Sequence, residues 1–179
     1  MAEPALDELT RLEPAIVVRW RAFELRPEPL PTLDPRGDYL IRIWRDHVYP
    51  LAQKMEMQLH LPPLQPRSLR AHEAAKWADS HDRFDEYNTA LFRAFFQYGL
   101  DIGKTEILEQ LAADLDLDPT ALLKALETNQ FTGDVLQDQE DARRIGVNAV
   151  PAFAVNEQVV ASGVQSASRL RELIGRQSS

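Results

Sequence analysis

The chain has 179 residues, 44% of them hydrophobic, which is enough for a core of its own and close to the usual size of one compact domain. Its formal charge is −8, with 28 Asp and Glu against 20 Lys and Arg, a balance that repels a phosphate backbone and argues against nucleic acid as a partner. It contains no Cys, so this chain can form no disulfide, thiolate nucleophile or cysteine-based zinc site, and cysteine usage says nothing about its redox compartment.

The N-terminus, MAEPALDELTRLEP, lacks a basic start followed by an apolar run, and no stretch approaches the apolar length a membrane helix needs, so no membrane contact and a cytoplasmic location are expected. Pro4 to Leu12 reads as a short helix, with Pro in its first turn and Leu6, Leu9 and Leu12 at helical spacing. Ile16 to Leu25 alternates, setting Val18, Trp20, Ala22 and Glu24 against Val17, Arg19, Arg21 and Phe23, and is expected to be a strand. The proline-rich RPEPLPTLDPRG that follows can be neither helix nor central strand, and acts as a connector.

From Asp38 to about Asn129 the period becomes helical, beginning with Tyr39, Ile43, Val48 and the Leu51 to Leu59 stretch and resuming after LPPLQP. Phe84, Tyr87, Leu91, Phe95 and Tyr98 share one face of a helix that Gly99 is placed to terminate. Ile107, Leu108, Leu111 and Leu115 mark the next helix, and Asp118-Pro119 starts the one bearing Leu122, Leu123 and Leu126. A helix from Thr132 to Ile145 ends at Gly146, and VNAVPAFAV then reads as a strand. Asn156-Glu157-Gln158 is a tight hairpin with Val159 to Ala161 as its return, before a last helix that Ser166 caps and that buries Leu170, Leu173 and Ile174. Strands at both ends with helices between them predict one sheet domain, residues 1–30 and 131–179, interrupted by a helical insertion at 31–130.

Three stretches carry a resemblance: VRWRAFELRP, FRAFFQYGLDIGKTEILEQLAADLDLD and IGVNAVPAFAVNEQVVASGVQ. Together, from about Val17 to Ile174, they resemble the FrnE-like branch of the DsbA disulfide oxidoreductases. The likeness implies an α/β fold, a thioredoxin-like small mixed sheet with a large all-helical insertion. It also implies a cis proline in the loop that Val150-Pro151 matches, facing a Cys-x-x-Cys pair, and a cysteine-containing protein or small thiol as partner. By likeness Val150, Pro151, Phe23 and Leu25 are the candidate substrate-binding residues, although Phe23 and Leu25 are more often core by type. A cis turn exposes backbone with which an extended substrate can pair. The family's first strand and its thiol pair would precede Met1, so the chain is expected to be truncated or to have lost catalysis. No cofactor is expected.

Two rival readings remain open. A glutathione-dependent isomerase of the hydroxychromene carboxylate type would take its thiol from glutathione. A non-catalytic peptide-binding module would pair an extended segment at the proline loop. In either case an absent central strand leaves two sheet edges to be closed by each other, by a homo-oligomer partner, or not at all.

The remaining constellations are weaker. Asp114, Asp116 and Asp118 start like a calcium loop, but Pro119 stands where Gly is needed and Ala125 where Glu is needed. His72, His81, Asp82 and Asp85 do not make up a metal site. Trp44, His47 and Tyr49 could line a pocket, with His47 as a ligand contact, but aromatics at this spacing are more often core. Arg67 and Arg70 read as solvated charges.

Overall fold

The computed structural model describes residues 1–177, which divide into two compact units: Met1–Leu25 with the segment from Asp138 onward, and Arg26–Gln137.

The regular elements of the second unit are all helices. It contains α2 (Asp38–Ile43), a single π-helical turn (Trp44–Val48), α3 (Tyr49–Lys54), α4 (Leu69–Asp79), α5 (Phe84–Phe96), α6 (Thr105–Asp114) and α7 (Pro119–Glu127); α8 (Thr132–Arg144) begins here. Its core gathers Trp77, Tyr87, Leu91, Leu108, Leu122 and Leu126 against Ala71, Ala74, Ala75 and Ala78 of α4, whose small side chains let neighbouring helices approach closely. The expected helix through Leu59 stops at α3, because Glu56 turns to φ 55° and the Met57 N–H returns to the Ala52 carbonyl at 2.9 Å. Gly99 does terminate α5: its φ is 65°, a Cβ there would lie 2.9 Å from Pro63 Cδ, and the Leu100 N–H closes on the Ala94 carbonyl at 2.8 Å. Asp118 caps α7 through the amides of Thr120 (2.9 Å) and Ala121 (3.2 Å), which accounts for an acidic cluster that resembles a calcium loop.

Arg70 is not a solvated charge. Its Nη1 donates to the Leu126 carbonyl at 2.5 Å, to Asn129 Oδ1 at 3.1 Å and to buried Glu73 at 3.0 Å. Glu73 also accepts from the Thr132 hydroxyl, so one pair of side chains joins α4, the end of α7 and the start of α8. Arg67 likewise donates to the Arg26 carbonyl.

Tyr87 is fully buried, and its hydroxyl donates to the Leu108 carbonyl at 2.8 Å. Burial pushes its phenol well above the ordinary tyrosine range. A pKa raised in the folded state means that the stabilisation is complete below the unfolded value of about 10 and falls as pH rises beyond it. In an alkaline titration of the protein against Tyr87→Phe, the difference signal from tyrosinate should therefore emerge only where the helical signal collapses. Ionisation of Tyr87 in a fully helical protein would contradict this placement.

The first unit contains α1 (Glu3–Leu12), β1 (Ala152–Val155), β2 (Gln158–Ser162), α9 (Ala167–Gln177) and the rest of α8. The strands pair antiparallel, Phe153 opposite Ala161 and Val155 opposite Gln158, with a register shift between Phe153 and Ala154. Asn156 and Glu157 form the turn at φ 49° and 62°, both in the left-handed region that two-residue hairpins use. Leu9, Ala167 and Leu170 form a small core with Leu6, Ile16, Phe153 and Ile174 packed around it.

Ile16–Leu25 is not a strand. Its burial alternates as a strand's would, with Ala22 and Glu24 buried and Val17 and Leu25 respectively 77% and 60% exposed. A strand also needs a ladder, and among the described residues no strand pairs with it; the small sheet consists of the antiparallel pair β1 and β2. The Ala22 amide is held by a side chain instead, Asp138 Oδ2 at 2.9 Å.

Candidate functional site

The loop expected to carry function lies in the first unit, where α8 ends at Arg144, Gly146 takes φ 80°, and the chain reaches β1 through Val147 to Pro151. The Val150–Pro151 peptide bond is cis, as is Glu28–Pro29. The Pro151 carbonyl accepts from the Gly163 amide at 2.8 Å, which fixes the loop to the end of β2. Val150 keeps 43% of its surface exposed, and its N–H and C=O meet no partner among the described residues. The loop therefore presents an apolar side chain together with the backbone N–H and C=O of Val150 at the head of β1, which is what pairing with an extended segment needs.

Phe23 is half-buried, whereas Leu25 is exposed, which corrects its reading as core. Ile16, at the start of the segment bearing Phe23 and Leu25, shares the Leu9–Leu170 core with Phe153 of β1. No hydrogen bond or ring contact among the described residues joins Phe23 or Leu25 to Val150 or Pro151.

Sequence reasoning missed Asp138. It is 2% exposed and accepts from Arg21 Nη1 at 2.8 Å as well as from the Ala22 amide, so it clamps the Ile16–Leu25 segment to α8. Within GDVLQDQEDARR it looks like any carboxylate on a solvated helix face, and only the burial of Asp138 and Gln139 together distinguishes it. Glu24 is also buried, two positions beyond Ala22.

Burial lowers the Met1 amine, hydrogen bonding to Glu157 raises Arg144, and hydrogen bonding to Arg169 lowers Glu172. A shallow groove of about 500 Å³ between α1 and α9 is lined by Glu8, Leu12, Arg171 and Glu172 and includes none of the expected site residues.

The other expected sites resolve into structure. Trp44 is buried against Tyr49 and Phe96, with ring centroids 5.4 and 6.2 Å away, and the Tyr49 hydroxyl accepts from the Leu61 amide. His47 is exposed on the π-helical turn. His81 closes the end of α4, its Nδ1 2.8 Å from the Trp77 carbonyl and its ring 4.5 Å from that indole. Among the described residues no group of three His, Cys, Asp or Glu could hold a metal ion, and no helix is long and apolar enough to cross a membrane.

With this geometry established, comparison with known proteins is informative. Residues 1–175 match the family model of the DSBA-like thioredoxin domain. The uncharacterised protein YwbO of Bacillus subtilis strain 168 is 34% identical over 149 residues, which span 81% of this chain and 74% of that protein. Among solved structures, a protein assigned as the DsbA oxidoreductase SCO1869 of Streptomyces coelicolor superposes with a TM-score of 0.78 at 17% identity, covering 98% of this chain and 82% of the other. A protein assigned as a protein disulfide isomerase from Nitrosomonas europaea gives 0.71 at 14% identity, covering 97% and 87%. At these identities the two structures establish the fold alone.

Proposed function

Because this chain belongs to the DSBA-like thioredoxin domain family, we propose that it is a FrnE-like homologue that docks thiol-bearing polypeptides without exchanging disulfides. One observation carries the reading: the Val150–Pro151 loop opens β1 with an exposed apolar side chain, in a chain that contains no Cys. Disulfide exchange begins with a thiolate attacking a disulfide sulfur, and the methionine thioethers have no ionisable proton with which to replace it. In this reading the first unit is the thioredoxin-like part and Arg26–Gln137 is the helical insertion, supported by the division of the chain into those two units. Val150 and Pro151 make the docking contact, and Phe23 and Leu25 extend it through the apolar surface they leave open.

The chain should give no reduction of insulin disulfides above a protein-free blank, with or without glutathione, yet should bind unfolded insulin B chain in a titration. Val150→Glu should weaken that binding by placing a charge on the apolar contact. Turnover above the blank would sink the non-catalytic reading, and binding indifferent to Val150→Glu would sink the assignment of the loop.

A further inference from the structure

Asn156 and Glu157 make the turn between β1 and β2, both in the left-handed region. Turn chemistry explains only the first of them. Asparagine tolerates that region, whereas the second position of such a turn favours glycine, and a glutamate there gives up backbone ease for the sake of a side chain. The side chain has a use. Arg144, the last residue of α8, sets both prongs of its guanidinium on it, Nη1 to Oε2 at 3.1 Å and Nη2 to Oε1 at 3.4 Å, while Nη2 also donates to Asp141 Oδ1 at 3.1 Å. The neighbouring Arg143 pairs with Glu140 of its own helix.

The Arg144–Glu157 contact closes a ring of chain, residues 144–157, with the Val147 to Pro151 loop on one side and β1 on the other. The backbone ties of that loop lie at its ends. The Val147 N–H donates to the Ala142 carbonyl and the Pro151 carbonyl accepts from the Gly163 N–H, both at 2.8 Å, and between them Asn148, Ala149 and Val150 make no backbone hydrogen bond among the described residues.

We propose that Arg144 is the positioning residue of the docking loop: it holds the hairpin tip to the end of α8 and so fixes the spacing between the two ends from which Val150 is presented. The inference rests on the docking role proposed above. Limiting the arrangements of the loop before a peptide arrives lowers the ordering cost of binding. An ion pair whose side chains are 54% and 71% exposed adds little to global stability, so its effect is confined to the segment it closes.

The test titrates unfolded insulin B chain into the parent, Arg144→Gln, Glu157→Gln, the double variant and Arg143→Gln, and follows hydrogen exchange at the Val147 and Gly163 amides of each free protein. Arg143→Gln removes an equal charge and a similar pair from the same helix end, yet leaves the hairpin tied. Arg144→Gln and Glu157→Gln should each weaken binding about threefold and speed exchange at both amides, and the double variant should go no further. Arg143→Gln should do neither, and the differences should fade in about 1 M salt. An effect of Arg143→Gln equal to that of Arg144→Gln would overturn the proposal, because the helix-end charge alone would then account for it. Additive losses in the double variant, or parent-like exchange in Glu157→Gln, would overturn it too. If the parent itself does not bind the peptide, the docking reading falls, and the exchange comparison alone decides whether Arg144 holds the loop.

Discussion

Glu73→Ala should destabilise the helical unit by about 3 kcal/mol, the lower end of the cost of breaking a buried ion pair. Glu73 is 2% exposed, and both of its oxygens are engaged, one by Arg70 at 3.0 Å and one by the Thr132 hydroxyl. Its removal strands that hydroxyl and opens a cavity among the alanines of α4. The effect stays at the lower end because Arg70 has a side chain 40% exposed and keeps the Leu126 carbonyl and Asn129 as acceptors. Glu73→Gln retains an acceptor for Thr132 but turns an amide donor towards a guanidinium, and should cost about 1–2 kcal/mol. Urea unfolding followed by helical signal would read both. An alanine variant within about 0.5 kcal/mol of the parent would show that the network adds nothing to stability.

The helices were legible in the sequence because each carries its own local signals. Asp118 before Pro119 fixed the start of α7, and Gly99 fixed the end of α5. The hairpin was legible for the same reason, since Asn156-Glu157 between two valine-bearing runs is itself a turn signal. The family likeness supplied the Val150–Pro151 loop, which no periodicity could have distinguished from an ordinary strand start. Two things were not legible. A strand exists only with a neighbour, so the alternation of Ile16 to Leu25 predicted its buried and exposed faces and said nothing of the absent ladder. Glu73 and Asp138 are charged residues in charged helices, and their burial depends on distant partners, Thr132 for one and Ala22 for the other. Reading Arg70 as solvated fails for the same reason: its acceptors on α7 and just beyond it are more than fifty residues away in sequence.

Asp138 gives the second large effect, and one that is local in a way Glu73's is not. Its carboxylate receives one neutral backbone donor and one charged side-chain donor, from adjacent residues of a segment that no sheet ladder holds. Asp138→Ala removes both acceptors. The Ala22 amide, on a residue 7% exposed, is then left without its partner, at about 1–3 kcal/mol, and the charge-assisted bond to Arg21 is lost, worth about 1.5–3 kcal/mol before discounting an arginine that is largely open to solvent. The total, roughly 2–4 kcal/mol, is large for a segment that no sheet ladder among the described residues holds, so Val17 to Glu24 should detach before the rest of the unit unfolds. Asp138→Asn keeps an oxygen for the Ala22 amide and gives up the charge, and should cost about 1 kcal/mol without detachment. Limited proteolysis separates the two outcomes: trypsin should cut after Arg19 and Arg21 in Asp138→Ala far faster than in the parent or in Asp138→Asn, while α4 to α7 stay intact. Equal cleavage of all three would mean that burial of Trp20, Ala22 and Glu24 holds the segment by itself, and that the carboxylate only decorates it.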